Sequence, residues 1–290
     1  MPRLGVITDE ISEDFDHALA VCQELGIRDI ELRSIWGKSI VDHDDATVSR
    51  IEQAVHAGGF RVNCIASPFL KCHLNDESAA AGNTHSASEK SKEEHWAILD
   101  RSLELANQFD SPIVRVFSFW RVADPVSVRD EILDILSVAT EHVSAAGKLL
   151  GLENEYACNV ATGEESRWIL DHISNHALGL IWDPGNEAAL GSNPFPGGYE
   201  HVKDRIHHVH LKDAVAIELN TGFTRMGDGA IDYLGQFRAL VRDRYEGVLS
   251  LETHYKVDGD PEPATRACAA STRDLARKAG LVFDDRRQPA

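Results

Sequence analysis

The sequence lacks the features that mark disulfide-bonded secreted proteins and membrane proteins. Its five cysteines, among 290 residues, form no Cys-x-x-Cys pair and are odd in number, which favours reduced thiols over a disulfide framework. No apolar run approaches the roughly 18 residues of a transmembrane helix, and the N-terminal segment has no long apolar stretch of the signal-peptide type. We therefore expect a cytoplasmic protein with no membrane partner.

Positive charge is also scarce. The chain carries 29 lysines and arginines against 47 aspartates and glutamates, a formal net charge of −18 at pH 7. This excess argues against a nucleic-acid backbone or an anionic membrane as the main partner. Hydrophobic residues make up 43% of the chain, an ordinary globular composition, and no Pro/Ser-rich linker divides it.

One short pattern occurs four times between Leu149 and Tyr255. An apolar run of strand length ends each time on a carboxylate or an imidazole, and the spacing is close to the roughly 30 residues of one β/α unit in a barrel. The residue before each polar end is apolar, so side-chain alternation places the polar ends on one face of their strands. These ends are Glu153, Asp183, His210 and Glu252.

The rest of the chain completes eight strand–helix units. The four further strands are expected at Leu4–Ile7, Asp29–Leu32, Arg61–Ala66 and Pro112–Phe117. Eight alternating β and α elements predict one α/β domain over residues 1–290, closed as a single (β/α)₈ TIM barrel. An open doubly wound sheet is the alternative, but no Gly-rich phosphate loop follows the first strand.

Two stretches depart from this alternation. A long polar segment at about 73–91 leaves the C-terminal end of the third strand, where long loops are usually functional lids or disordered insertions. We expect a mobile lid or a partner-contacting loop over the barrel mouth, with a disordered insertion as the alternative. The tail 284–290 is expected to be frayed.

Three carboxylates and one imidazole at the same end of a barrel predict a divalent-metal site. Ligation by oxygen and imidazole without thiolate suits Mn²⁺, Mg²⁺, Co²⁺ or Zn²⁺ and disfavours a structural zinc cage. Such an ion can hold both oxygens of an α-hydroxy carbonyl and stabilise the enediolate that forms when the α-proton leaves. Glu153 and Glu252, three strands apart, are the predicted acid–base pair.

The chain resembles the xylose isomerase-like TIM-barrel superfamily, which includes sugar and sugar-phosphate isomerases, epimerases and inosose dehydratases. The resemblance covers nearly the whole chain and is most specific at residues 152–154, 182–186, 208–213, 225–232 and 251–252. It implies metal ligands at the four strand ends and a substrate-contacting arginine at Arg225. Asn186 stands where many epimerases and dehydratases of the family have a histidine, and we assign it to substrate binding.

Two more inward-facing residues of the same strand as His210 are assigned to substrate binding. His208 has a buried core role as its alternative. Lys212 is a candidate partner for a developing oxyanion, or else for a salt bridge with Asp213 or Glu187.

Three further basic residues are left outside the predicted site. Arg115 faces outward if its neighbours Val114 and Val116 point into the barrel. Lys71 and Arg121 are candidate anion-binding residues, but exposed basic side chains commonly have no specific partner.

The leading interpretation is a divalent-metal-dependent sugar or keto-sugar isomerase or epimerase that abstracts a proton α to a carbonyl. A lyase or dehydratase acting on a keto-sugar or inosose is the alternative, because it begins with the same abstraction. A catalytically inactive sugar-binding barrel is disfavoured by the complete ligand set, and phosphodiester cleavage by the net charge. The expected partner is a small carbohydrate, and homo-oligomerisation is left open.

Overall fold

The computed structural model describes residues 1–75 and 91–284, and within them eight parallel strands close into a barrel. In the ring each strand pairs with its neighbours along the chain, and the last pairs with the first. This arrangement confirms the predicted (β/α)₈ barrel. The strands are β1 (Arg3–Ile7), β2 (Asp29–Leu32), β3 (Arg61–Ile65), β4 (Ile113–Val116), β5 (Leu149–Glu153), β6 (Leu178–Trp182), β7 (Ile206–Leu211) and β8 (Val248–Leu251).

Helices cover the outside of the barrel and begin and end at residues suited to those positions. Asp14 and Asp44 cap the first two helices, and Ser91 and Thr162 form capping boxes with the glutamates three residues on. The helices are α1 (Phe15–Leu25), α2 (Asp45–Gly58), α3 (Lys92–Gln108), α4 (Arg129–Ala145), α5 (Gly163–His172), α6 (Pro184–Ala189), α7 (Tyr199–Val202), α8 (Tyr233–Arg242) and α9 (Pro261–Ala279).

Proline-containing turns precede two of these helices. α4 begins at Arg129, because Pro125–Val128 forms a 3₁₀ turn capped by Asp124. α7 is only one turn long, because the segment Pro194–Gly198 before it has a wider, π-type turn.

The two faces of the strands pack differently. Val114 and Val116 are fully buried in the large core that the strands share with the helices. Ile113 instead meets Cys64 and Ile181 in a separate small cluster inside the barrel. Gly151 keeps that interior narrow, because a Cβ atom there would lie 2.7 Å from Cγ1 of Ile181. The barrel is therefore filled by side chains and is not a pore.

This register decides the orientation of Arg115. Because Val114 and Val116 face the helices, Arg115 points into the barrel, so the condition for the outward orientation expected from the sequence is not met. The strand exposes neither face to solvent, and an apolar residue on each side of Arg115 therefore carries no information about its direction.

Several remaining expectations concern composition and chain ends. All five cysteines are free and buried. None of the helices within residues 1–75 and 91–284 has the length and apolar character needed to cross a lipid bilayer. Residues 76–90 and 285–290 lie outside the described residues, so the predicted lid at 73–91 and frayed tail at 284–290 stay predictions.

The buried carboxyl group of Glu187 makes the free energy of unfolding depend on pH. Its buried carboxylate accepts hydrogen bonds from the Gly163 amide (2.9 Å) and the Ser192 hydroxyl (3.0 Å). Burial raises its pKa from 4.5 to about 7. Between pH 4.5 and about 7 the carboxyl group is protonated in the folded chain and ionised in the unfolded chain. The free energy of unfolding therefore falls as pH rises through this range. The full effect is about 3 kcal/mol.

Replacing Glu187 by Gln mimics the protonated acid. We expect E187Q to gain unfolding free energy relative to the natural protein as pH rises from 4.5 to 8, measured by urea denaturation at several pH values. A stability difference that does not change with pH would contradict this assignment. Exposed Glu246 (79% exposed), replaced by Gln, is the control.

Candidate metal centre

The four predicted strand-end residues meet at the C-terminal mouth of the barrel. Glu153 is the last residue of β5, His210 lies near the end of β7, and Asp183 and Glu252 immediately follow β6 and β8. Each offers a ligand atom, and these atoms all lie within 4.8 Å of one another. All four side chains are buried.

The imidazole of His210 stands at the centre of this group. Its Nδ1 atom lies 3.3 Å from Oε1 of Glu153, 3.4 Å from Oε2 of Glu252 and 4.0 Å from Oδ2 of Asp183. One nitrogen and three carboxylate oxygens thus converge from four neighbouring strands, which is the donor set that a hard or borderline divalent ion prefers.

Asp183 is held in place by local structure. Its Oδ1 accepts a hydrogen bond from the Asn186 amide (3.0 Å) and caps the N-terminus of α6. The side chain of Asn154 bonds both the amide and the carbonyl of Asp183 at 2.8 Å. Oδ2 of Asp183 is buried, lies 2.8 Å from Nζ of Lys212 and faces the other ligand atoms.

Each glutamate has its second oxygen bound by an arginine. Arg115 donates to Oε2 of Glu153 at 3.0 Å and also to the carbonyls of Ala66 and Ser67. Arg33 donates to Oε1 of Glu252 at 2.7 Å. Both guanidinium groups are almost fully buried, so the glutamates are oriented with one oxygen toward His210.

Arg33 also fills a second acidic cluster. Glu10, Glu252 and His254 lie close enough together to resemble a metal site. The Arg33 guanidinium lies among them, 2.6 Å from Glu10 and 2.8 Å from Asp9. A guanidinium and a metal ion cannot occupy the same position, so this second cluster is a structural charge network.

Beneath the mouth, Glu31 connects two histidines. Its carboxylate reaches across the barrel from β2 and contacts Nε2 of His210 at 3.3 Å and Nε2 of His208 at 2.8 Å. A carboxylate only accepts hydrogen bonds, so Nε2 of His210 carries a proton. Nδ1 faces the carboxylates of Glu153 and Glu252 and is the nitrogen that would offer its lone pair to an ion. Glu31 therefore sets the tautomer that a metal ligand requires.

Lys212 is the basic residue nearest the four ligand atoms. Its Nζ lies 2.8 Å from Oδ2 of Asp183 and 2.8 Å from Oε2 of Glu252, rather than beside Asp213 or Glu187. Asp213 instead accepts hydrogen bonds from the Gly227 and Gly229 amides.

The charges of the cluster are unevenly compensated. Burial raises the pKa of Glu153, but Arg115 and His210 outweigh it and lower that pKa to about 2. Burial raises the pKa of Asp183 to about 8, with Lys212 opposing and Glu252 and Glu153 adding to it. Oδ2 of Asp183 thus has only the Lys212 ammonium beside it, which it shares with Glu252, and the residues present fit an additional cation.

The structure separates the predicted substrate-binding residues into two groups. Asn186 and Lys212 lie beside the cluster, and the Asn186 amide nitrogen is 3.3 Å from Oε1 of Glu153. His208 is enclosed one layer deeper. Arg225 is half-exposed on a surface turn, where it pairs with Asp228 at 2.8 Å. Substrate contact by any of the four stays a prediction.

Sequence reasoning missed three residues that orient the cluster: Glu31, Arg33 and Arg115. A usable signal existed for the first two, because alternation along β2 places residues 29, 31 and 33 on one face, and all three are charged. No comparable signal existed for Arg115, which has a valine on each side.

The fold is a TIM barrel in which carboxylates and a histidine converge at the C-terminal mouth and could hold a metal ion. Residues 19–275 match the family described as xylose isomerase-like TIM barrel, and the chain belongs to that family. This confirms the resemblance found in the sequence.

Among curated proteins, an inosose dehydratase of Clostridium botulinum (strain Eklund 17B / Type B) is 32% identical over 108 residues, which cover 32% of this chain and 36% of that protein. The matched segments span 36% to 47% of the length of the curated relatives. These relatives are similar to this chain over part of their length only.

Solved structures share the whole fold. The IOLI protein with a bound zinc atom superposes with a TM-score of 0.75 at 18% identity, covering 96% of this chain and 99% of that one. A xylose isomerase-like TIM barrel protein of Mycobacterium smegmatis in complex with magnesium gives 0.71 at 17% identity, covering 96% of each chain. At these identities the likeness concerns the fold alone.

The role of Glu31 leads to a prediction about metal affinity. In E31Q the amide can donate to Nε2 of His210, which moves the imidazole proton to Nδ1 and removes the lone pair that faces the cluster. We expect affinity for Mn²⁺ to fall about 10- to 100-fold, measured by calorimetric titration of metal-stripped protein.

Replacing His208 by Asn is the matched control, since it leaves the contact between Glu31 and His210 and should lower affinity less. Circular dichroism checks that both variants are folded. Unchanged affinity in folded E31Q would show that Glu31 does not set the tautomer.

Proposed function

We propose that the protein is a divalent-metal-dependent enzyme that isomerises or epimerises a sugar or keto-sugar by removing a proton α to a carbonyl. The observation that carries this proposal is the convergence of three carboxylates and one imidazole within 4.8 Å at the barrel mouth. Membership of the xylose isomerase-like family supports the same reaction class.

Glu153, Asp183, His210 and Glu252 would hold the ion. When bound, it supplies positive charge for the two oxygens of an enediolate, whose formation is otherwise unfavourable near neutral pH. Mn²⁺, Mg²⁺, Co²⁺ and Zn²⁺ all suit these donors.

Lys212 contributes a fixed ammonium group beside the same position. It lies between Asp183 and Glu252. Burial alone would lower the pKa of Lys212, but these carboxylates outweigh it and raise that pKa well above its usual value, so the ammonium stays protonated. A substrate oxygen at the mouth would find in it a hydrogen-bond donor that needs no rearrangement.

The two glutamates differ in their access to solvent. Glu153 is enclosed between Arg115, His210 and Asn186. Oε1 of Glu252 lies 3.3 Å from Nε2 of His254, whose side chain is 16% exposed. A proton taken by Glu252 can therefore reach water through His254, whereas a proton on Glu153 stays in the site.

This difference suggests distinct roles for the pair. Glu252 is the carboxylate whose proton exchanges with solvent during turnover, and Glu153 is the one that transfers its proton without exchange. Each keeps one oxygen toward His210 and the other against an arginine, which limits rotation of the carboxylate.

A dehydratase is the second candidate. The similarity to an inosose dehydratase over 108 residues favours it, and elimination from a keto-inositol starts with the same α-proton abstraction. The two reactions differ only in whether a β-hydroxyl leaves before the proton returns. An inactive sugar-binding barrel is the alternative of another class.

The proposed acid–base pair predicts the effect of amide substitutions. E153Q and E252Q retain the size of the side chain and an oxygen ligand but lose the base. Turnover should fall about 10²- to 10⁴-fold in each, with E246Q unchanged as the surface control. Bound metal is measured in the same samples by elemental analysis, because loss of the ion would also abolish activity.

Solvent exchange separates the mechanisms. Metal-loaded protein is incubated in D₂O with keto-sugars and 2-keto-myo-inositol, and NMR records deuterium at the α-carbon. Incorporation at that carbon is expected. Turnover without incorporation in both directions of the reaction would assign a hydride shift, and Glu153 and Glu252 would then be ligands only.

A further inference from the structure

We infer that the substrate is an uncharged polyhydroxylated ketone, and not a phosphate ester or a sugar acid. This inference rests on the proposed function and narrows its substrate class. Two features carry it: the pairing of the buried basic side chains at the mouth disfavours an anionic group, and an unpartnered acceptor beside Glu153 selects a hydroxyl.

Four buried basic side chains at the mouth each lie against a carboxylate. Arg33 and Arg115 bind the outer oxygens of Glu252 and Glu153 at 2.7 and 3.0 Å. Lys71, next to the end of β3, lies 3.1 Å from Glu155, and both are almost fully buried. Lys212 lies between Asp183 and Glu252.

An anionic substrate would have to compete for these cations. Binding a phosphate through Lys71, for example, would leave Glu155 buried without its partner, and removing one partner of a buried pair is strongly unfavourable. The pairs therefore neutralise the groups that would otherwise recognise a phosphate or carboxylate. The net charge of −18 also disfavours the approach of anions.

The second feature is the amide of Asn186, which is fully buried. Its nitrogen faces Oε1 of Glu153 at 3.3 Å. Because that carboxylate only accepts hydrogen bonds, the orientation of the amide is fixed and its oxygen points elsewhere. That Oδ1 has no hydrogen-bond partner.

An unpartnered buried acceptor needs a donor. A substrate hydroxyl can donate to Oδ1 of Asn186, whereas phosphate and carboxylate oxygens only accept. Because Asn186 lies beside Glu153, a predicted acid–base residue, a hydroxyl that donates to Asn186 would be close to the reacting carbon. The site thus offers a hydrogen-bond acceptor, Oδ1 of Asn186, to a substrate hydroxyl. Its buried basic side chains are already paired with protein carboxylates.

The inference is tested by binding, with no requirement for turnover. Protein loaded with Mg²⁺ is titrated with matched probes: D-fructose against D-fructose 6-phosphate, D-tagatose against D-tagatose 6-phosphate, and 2-keto-myo-inositol against 2-keto-D-gluconate. Saturation-transfer NMR gives a Kd for each. At least one uncharged ketone should bind ten-fold or more tightly than its anionic counterpart.

Two substitutions at the Lys71–Glu155 pair sharpen the test. E155Q frees Lys71 and should raise affinity for the phosphate esters at least ten-fold. The double variant K71M/E155Q removes both charges and should keep the weak phosphate binding of the natural protein. Thermal unfolding confirms that both variants are folded, and the double variant removes the cost of an unpaired charge.

A third variant tests the acceptor. Replacing Asn186 by Leu keeps the approximate volume and removes Oδ1, so affinity for the best uncharged ketone should fall about ten-fold or more. Unchanged affinity in folded N186L would overturn the role of Asn186.

The substrate class is overturned if a phosphate ester or the sugar acid binds as tightly as its partner, or if no uncharged ketone binds. Failure of the proposed chemistry has a different signature. An uncharged ketone that binds without α-deuteration would refute the reaction and retain the substrate class. Deuteration confined to phosphorylated sugars would retain the reaction and refute the substrate class.

Discussion

The arrangement of the barrel mouth depends on one electrostatic constraint: several carboxylates are buried in a space that excludes most water. Like charges at these separations repel strongly in a medium of low effective dielectric constant. The chain compensates by placing arginines and a lysine between them, so that Arg33 contacts Asp9, Glu10 and Glu252. The positive charge near Asp183 does not fully balance the carboxylates, and a divalent ion would supply the charge that is missing there.

The same charge pairs fix the geometry of the strand ends. Arg115 ties the carbonyls of Ala66 and Ser67, after β3, to Glu153 on β5. Leu70 and Phe119, in the loops after β3 and β4, are fully buried in left-handed conformations, with φ of 61° and 59°. The Phe119 amide donates to the Leu70 carbonyl at 3.0 Å. Such backbone strain persists only where surrounding structure enforces it, which indicates a rigid mouth on this side.

The fold and the four converging residues could be predicted because both follow from periodicity within single strands. Glu153, Asp183, His210 and Glu252 each end an apolar run at one-unit spacing, and parallel strands bring their C-terminal ends together. The contacts of Glu31, Arg33 and Lys212 could not be predicted in this way. These contacts depend on which residues face each other across the barrel interior. That pairing is set by the stagger of the strands and by the register shift between Leu180 and Ile181.

Asp183 serves two purposes with its two oxygens, and this has an evolutionary consequence. One oxygen closes the first turn of α6 and the other faces the cluster, so most substitutions at this position would damage the local fold and the chemistry together. A related protein that had lost catalytic activity would still be under selection to keep a helix-capping residue at position 183. Asn or Ser at this position in a related sequence would therefore mark a barrel that kept its architecture after losing its ion, whereas drift at Glu252 would not be constrained in this way.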